Sequence, residues 1–139
     1  MGTLCHKGTT PGQRGVGFLI NSNLTDKIRE FRGISDRIAT LKIEYKKKHF
    51  LNLIQIYAPT AEPNQETCEE FYKSLNETIN NKPHKNDNQL IIMGDFNSQI
   101  GQRESNEERI MGPYNFGKRN DRGKRLVDFC QGNNRKISQ

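Results

Sequence analysis

Two short stretches combine residue types that can handle a phosphate ester with a backbone able to display them. Gly94-Asp95-Phe96-Asn97 follows the apolar run Leu90-Ile91-Ile92-Met93. The end of a strand projects side chains into the space above a sheet, and a glycine there lets the chain turn sharply. Asp95 then offers a carboxylate for a metal ion or for a proton taken from water. Asn97, two residues on, is expected to point the same way and to donate a hydrogen bond to a phosphate oxygen. Aspartate and asparagine are also ordinary turn formers, so the tetrapeptide admits a purely structural reading. The second stretch, Ile56-Tyr57-Ala58-Pro59-Thr60, closes another apolar run with a proline that stops a ladder. Tyr57 can present its hydroxyl to the same space, or it can be a core tyrosine with the hydroxyl at the rim.

The elements that must position these residues follow from the spacing of apolar side chains. Gly15 to Asn21 reads as a buried strand, and Ile34 to Tyr45 as a second with partial two-residue alternation. Phe50 to Tyr57 makes a third, and the basic turn Lys46-Lys47-Lys48 before it predicts an antiparallel hairpin. Cys68, Phe71, Tyr72, Leu75 and Ile79 then fall on one helical face. Thr67 and Glu70 offer a capping box, and the helix is expected to stop near Asn80-Asn81, ahead of Pro83. Leu90 to Met93 is too short for a helix and predicts a central strand. A polar loop runs to about Lys118, after which Asn120 or Asp121 can cap a last helix bearing Leu126, Val127, Phe129 and Cys130. Early hairpin pairing argues for an α+β layered fold over a doubly wound parallel sheet.

Composition bounds the rest. The 139 residues make one domain's worth of chain, and with 32% hydrophobic residues they predict a thin core between polar loops. Lys82 to Asn88 and Gln102 to Arg109 hold almost nothing that could be buried. Lys and Arg outnumber Asp and Glu by 22 to 16, a charge of +6 that favours a polyanionic partner. The basic clusters are Lys46-Lys47-Lys48 and Arg119, Arg122, Lys124 and Arg125. Each can track a nucleic-acid backbone or simply be a solvated surface, and no aromatic interleaving marks either for single-strand stacking. Three scattered cysteines, without a Cys-x-x-Cys pair, indicate neither a disulfide partner nor a zinc site. Met1 to Arg14 reads as a disordered leader with no signal peptide or membrane span. A nuclear or cytoplasmic, non-secreted protein is the expectation, with residues 135–139 as a tail.

Taken in order, residues 15–21, 33–39, 54–60, 92–97 and 117–129 resemble the endonuclease/exonuclease/phosphatase superfamily. Within it, the endonuclease domains of non-LTR retrotransposons are the best match. The resemblance implies a DNase I-like, four-layered α/β sandwich, two packed and mostly antiparallel sheets flanked by helices. An incomplete domain over residues 15–134, lacking outer elements, is then expected. It also implies phosphodiester hydrolysis with Mg²⁺ or Mn²⁺, and DNA as the partner. Asp95 looks like the aspartate that orients or deprotonates the attacking water, Asn97 like the residue holding the scissile phosphate, and Tyr57 like a phosphate contact. Arg37 and Asn120 occupy motif positions, although an ion pair and a helix cap would explain them equally. Arg119 and Lys124 belong to the basic block that would face nucleic acid.

The same resemblance implies what is missing. Family members carry a metal-binding glutamate and an asparagine on early strands and a closing Asp-His pair. Residues 1–14 contain no Glu or Asp, and none of His6, His49 and His84 follows an aspartate. No metal ligand is therefore assigned, and weak or absent turnover is expected, since a lost general acid or base costs about 10²–10⁴ in rate. Glu62, Glu66, Asp87 and Glu104 could substitute or be solvated loop charges. The alternative is a non-catalytic basic protein that binds nucleic acid.

Overall fold

The computed structural model describes residues 2–7, 15–60, 65–81 and 88–138. Six strands are formed among the described residues: β1 (Gly2–Lys7), β2 (Val16–Asn21), β3 (Ile28–Gly33), β4 (Ile38–Lys46), β5 (His49–Tyr57) and β6 (Asn88–Asp95). Two α-helices, α1 (Gln65–Asn80) and α2 (Asp121–Gly132), and one 3₁₀ helix (Ser22–Lys27) complete the set. The architecture is α+β, with an antiparallel pair β1-β2 and a mixed four-stranded sheet in the order β3-β4-β5-β6. The chain divides into two compact units, Met1–Asp95 and Phe96–Gln139.

In the first unit the predicted hairpin is present. β4 and β5 pair antiparallel around Lys47 and Lys48, and the Lys48 N–H donates to the Glu44 carboxylate at 2.9 Å. Apolar residues recur along both strands, and period-two alternation gives each face its own set. One face carries Ala39, Leu41 and Ile43, which form a single buried cluster with Val16, Phe18 and Ile20 of β2. The opposite face buries Ile38, Thr40, Asn52, Ile54 and Ile56, so apolar burial on both sides makes this sheet a central layer. Buried Asn52 is satisfied by donating to the Gln89 carbonyl at 3.3 Å. α1 buries Phe71, Tyr72, Leu75 and Ile79, the stripe its spacing predicts.

Several expectations need correcting. Gly2–Lys7 is a strand rather than a disordered leader, because its backbone groups pair in register with β2 from Gly2↔Asn21 to Lys7↔Val16; residues 8–14 lie outside the described residues. β2 is half-buried, not buried, since Leu19 faces out. β3 escapes a sequence reading because charge dominates it, with Arg29, Glu30 and Arg32 outward and only Ile28 and Phe31 packing on the core. α1 begins at Gln65, which puts Thr67 inside its first turn rather than at its cap. β6 is paired on one side only among the described strands, and Ile91 and Met93 on it are exposed, so it is an edge rather than a centre.

The second unit folds around α2. Asn120 is the N-cap, its side chain accepting from the Gly123 N–H at 2.7 Å. Leu126, Val127 and Cys130 of the helix pack with Ile100, Ile110 and Met111, while Phe96, Phe129 and Ile137 edge the cluster. The segment expected to be a loose tail contributes here: the Ile137 N–H donates to the Ile110 carbonyl at 2.6 Å, and Met111 bridges Ile137. α2 approaches the Gln99–Ile100 backbone so closely that a Cβ on Gly123 would run into the Gln99 carbonyl oxygen. Gly123→Ala is expected to lower stability by about 1–3 kcal/mol. Lys124→Ala, exposed on the same turn, should stay within about 0.5 kcal/mol. Urea unfolding midpoints of both variants check this, and equal midpoints would remove the close-approach argument.

Candidate functional site

The parallel pairing of β5 with β6 brings the two strand ends together. Parallel neighbours need a crossover, and α1 is the helix within it. The register runs from Phe50↔Asn88 to Tyr57↔Asp95, so the last residue of each strand is the other's partner. Partners in a parallel ladder share a face, so Tyr57 and Asp95 lie side by side on one side of the sheet. Just beyond, the Ala58 N–H donates to the Asp95 carbonyl at 2.8 Å, which continues the pairing past the strand end. Gly94 makes this closure possible. Its φ is 135°, and a Cβ there would collide with the Ile56 carbonyl oxygen.

Arg37 is held against the same mouth by three interactions. The Tyr57 N–H donates to the Arg37 carbonyl at 2.9 Å, and Arg37 Nη1 donates to the Tyr57 carbonyl at 3.2 Å. The guanidinium carbon also stands 5.6 Å from the centre of the Tyr57 ring, within cation–π range. The ring itself packs half-buried against the core of β2 and β4. A rim hydroxyl and a core ring are thus compatible, and Asp95 is exposed. The Tyr57 phenol and Asp95 carboxylate at the ends of β5 and β6, with the guanidinium of Arg37 just ahead of β4, supply two donor groups and an acceptor, which suits an oxyanion with a nearby water.

Asn97, Arg119, Asn120 and Lys124 belong to the second unit. β6 ends at Asp95, and Asn97 turns into left-handed backbone with φ 47°, a conformation that asparagine tolerates. Strand alternation therefore ends before Asn97. Asn120 serves as a cap: besides Gly123, its side chain accepts from the Gln99 N–H at 3.2 Å. Lys124 is exposed on α2.

Arg119 does not face solvent, contrary to its expected place on a nucleic-acid surface. Its Nη1 and Nη2 donate to the two carboxylate oxygens of Glu107 at 2.6 and 2.7 Å. Nε donates to the Ile100 carbonyl at 2.7 Å and Nη2 to the Gln102 carbonyl at 3.1 Å. With four donor contacts directed inward, little of the fork remains for a phosphate. Glu107 is 5% exposed although it lies in a stretch that reads as unburiable. No local pattern marks it, because its partner is 12 residues away in sequence. The Arg119 hydrogen bonds hold the Glu107 carboxyl below its usual range, against the opposing effect of burial. Burial pushes the Cys130 thiol up to about 11, so it stays protonated, and all three cysteines are free.

The donor set among the described residues does not fit a divalent-cation centre. Among the described residues no three His, Cys, Asp or Glu side chains come together, and Asp95 is the only carboxylate that ends β5 or β6. Of the possible substitutes, Glu104 lies 3.6 Å from the Arg119 guanidinium and Glu66 falls in α1. Glu62 and Asp87 lie outside the described residues. Among the described residues, no helix is long and apolar enough to cross a membrane.

The chain is similar to craniofacial development protein 2. Identity is 30% over 121 residues with the protein of Tragulus javanicus and 29% over 121 residues with that of Bos taurus. Each alignment covers 87% of this chain but 20% of the relative, so the chain spans about a fifth of the length of the curated proteins it matches. No protein-family model matches.

Two outcomes follow. Gly94→Ala should destabilise the first unit by about 2 kcal/mol or more, since the backbone must leave its ladder to admit a Cβ. An unchanged urea midpoint would show that the closure is not tight. Glu107 is the acid-sensitive group of the second unit: a carboxyl whose folded pKa is depressed stabilises above its ordinary value near 4.5 and loses that contribution as pH falls through the folded value. Glu107→Gln should cost about 3 kcal/mol at neutral pH by removing the nearest charge partner of the largely buried Arg119 guanidinium. The gap between wild type and variant in thermal unfolding should narrow steadily as the medium is acidified below pH 4.5.

Proposed function

We propose that this chain carries a section of a phosphodiester-hydrolase domain of the endonuclease/exonuclease/phosphatase type, DNase I-like in fold and of non-LTR retrotransposon endonuclease descent, with DNA as its substrate class. One observation carries the reading: Tyr57 and Asp95 are register partners at the ends of neighbouring parallel strands, with Arg37 packed on Tyr57. A phosphodiester needs donors for charge that develops on its oxygens and a base aligned with the attacking water. Arg37 and the Tyr57 hydroxyl are suited to the first task and the Asp95 carboxylate to the second. Similarity to craniofacial development protein 2 over 87% of the chain supports a shared ancestry for these blocks.

Turnover by this chain is feeble on this reading, since the described residues bring no three metal-ligating side chains together and no step is routed through a metal. The test is hydrolysis of supercoiled DNA and of an activated phosphodiester in Mg²⁺ buffer. A low rate is expected that Asp95→Ala reduces about a hundredfold. Tyr57→Phe should reduce it by about tenfold, as for a single lost hydrogen bond to a charged group. A rate indifferent to Asp95→Ala sinks the hydrolytic reading.

A second reading, a non-catalytic nucleic-acid binder, is favoured by the net charge of +6. Cations that neutralise phosphates release counterions, so affinity would fall steeply with added salt. Binding of that kind, unmoved by Mg²⁺ or Asp95→Ala and without measurable hydrolysis, would select it over the first.

A further inference from the structure

The loop between Ile110 and Arg119 holds two aromatic side chains in solvent between anchored ends. At one end Met111 is buried and bridges Ile137. At the other, Arg119 is clamped to Glu107 by the paired hydrogen bonds described above. Asn115 Nδ2 donates to the Gly112 carbonyl at 2.8 Å and closes the tip. Between these ties Tyr114 is 86% exposed and Phe116 87% exposed. The loop buries Ile110 and Met111 in the core of the second unit yet leaves its two largest apolar groups outside. Rings displayed in this way mark a contact surface rather than a packing residue.

The surrounding charge is mostly positive. Arg109 and Lys118 are exposed on either side of the tip, and Lys124 is exposed on α2. From residue 109 to residue 125 the sequence contains a single acid, Asp121. Aromatic faces flanked by cations match the chemistry of unpaired nucleotides, whose bases stack and whose phosphates need neutralising. In a duplex those faces are already stacked on each other. A second copy of this chain would set the same positive charges against themselves.

We propose that residues 112–118 form a stacking platform for single-stranded nucleic acid, with bases lying on Tyr114 and Phe116 and phosphates meeting Arg109 and Lys118. This platform does not depend on whether the mouth at Tyr57 and Asp95 is hydrolytic.

The experiment titrates the full chain into a fluorescein-labelled oligothymidylate and into a labelled duplex of equal length, read by anisotropy, with sedimentation velocity on the protein alone. Wild type should bind the single strand more tightly than the duplex. Tyr114→Ala with Phe116→Ala should weaken single-strand binding about a hundredfold, or about tenfold per lost stack, and leave duplex binding unchanged. The exchange of the two residues, Tyr114→Phe with Phe116→Tyr, should restore the affinity, and circular dichroism should report an intact fold for each variant. Binding is read in EDTA, so loss of the hydrolytic reading would not touch this one. Equal binding by the double alanine variant, no single-strand binding by wild type, or self-association that the variant abolishes would each overturn the platform.

Discussion

The candidate site rests on the register of two strands that no hairpin joins. β5 and β6 are parallel, so their alignment depends on the ladder itself and on the crossover that contains α1. A slip of one residue would turn Asp95 to the opposite face and separate it from Tyr57. What holds the register at the critical end is a backbone approach that only glycine allows. Gly94 sits against the Ile56 carbonyl, and the Ala58 N–H then reaches the Asp95 carbonyl. The Asp95 carboxylate of the candidate site is therefore delivered by a residue that has no side chain.

A different economy governs the second unit. It has 44 residues and one helix of 12, so its apolar cluster is small and its long loop must be held by polar groups. Arg119 does this by gathering the Glu107 carboxylate and the carbonyls of Ile100 and Gln102. Asn120 adds a second tie between the loop and the start of α2. Burial raises the strength of such bonds and also the cost of breaking one, which makes the unit sensitive to acid in a way its surface charges are not. The same employment removes Arg119 from the surface where its sequence context would place it.

The hairpin, the helical stripe of α1 and the cap of α2 are legible in the sequence because each depends on neighbours within about one or two turns of chain. Apolar alternation in β4 and β5, the spacing of Phe71, Tyr72, Leu75 and Ile79, and Asn120 ahead of α2 all have this local origin. β1 and β3 are not legible, because polar and charged strands gain their stability from partners elsewhere: β1 from β2, and β3 from β4, with Arg29 reaching Glu44 at 2.7 Å. The Ile137 segment is opaque for the same reason.

By itself the sequence determined which residue types are available for chemistry, the α+β class and the positive field, since composition and short-range periodicity are properties of the chain alone. Only the tertiary structure decided that Arg37 and Tyr57 join Asp95 while Arg119 and Asn120 serve as internal ties. Glu107 is buried and Phe116 exposed for the same reason: which partner a side chain finds is set by long-range register and packing, and neither is written in the spacing of neighbours.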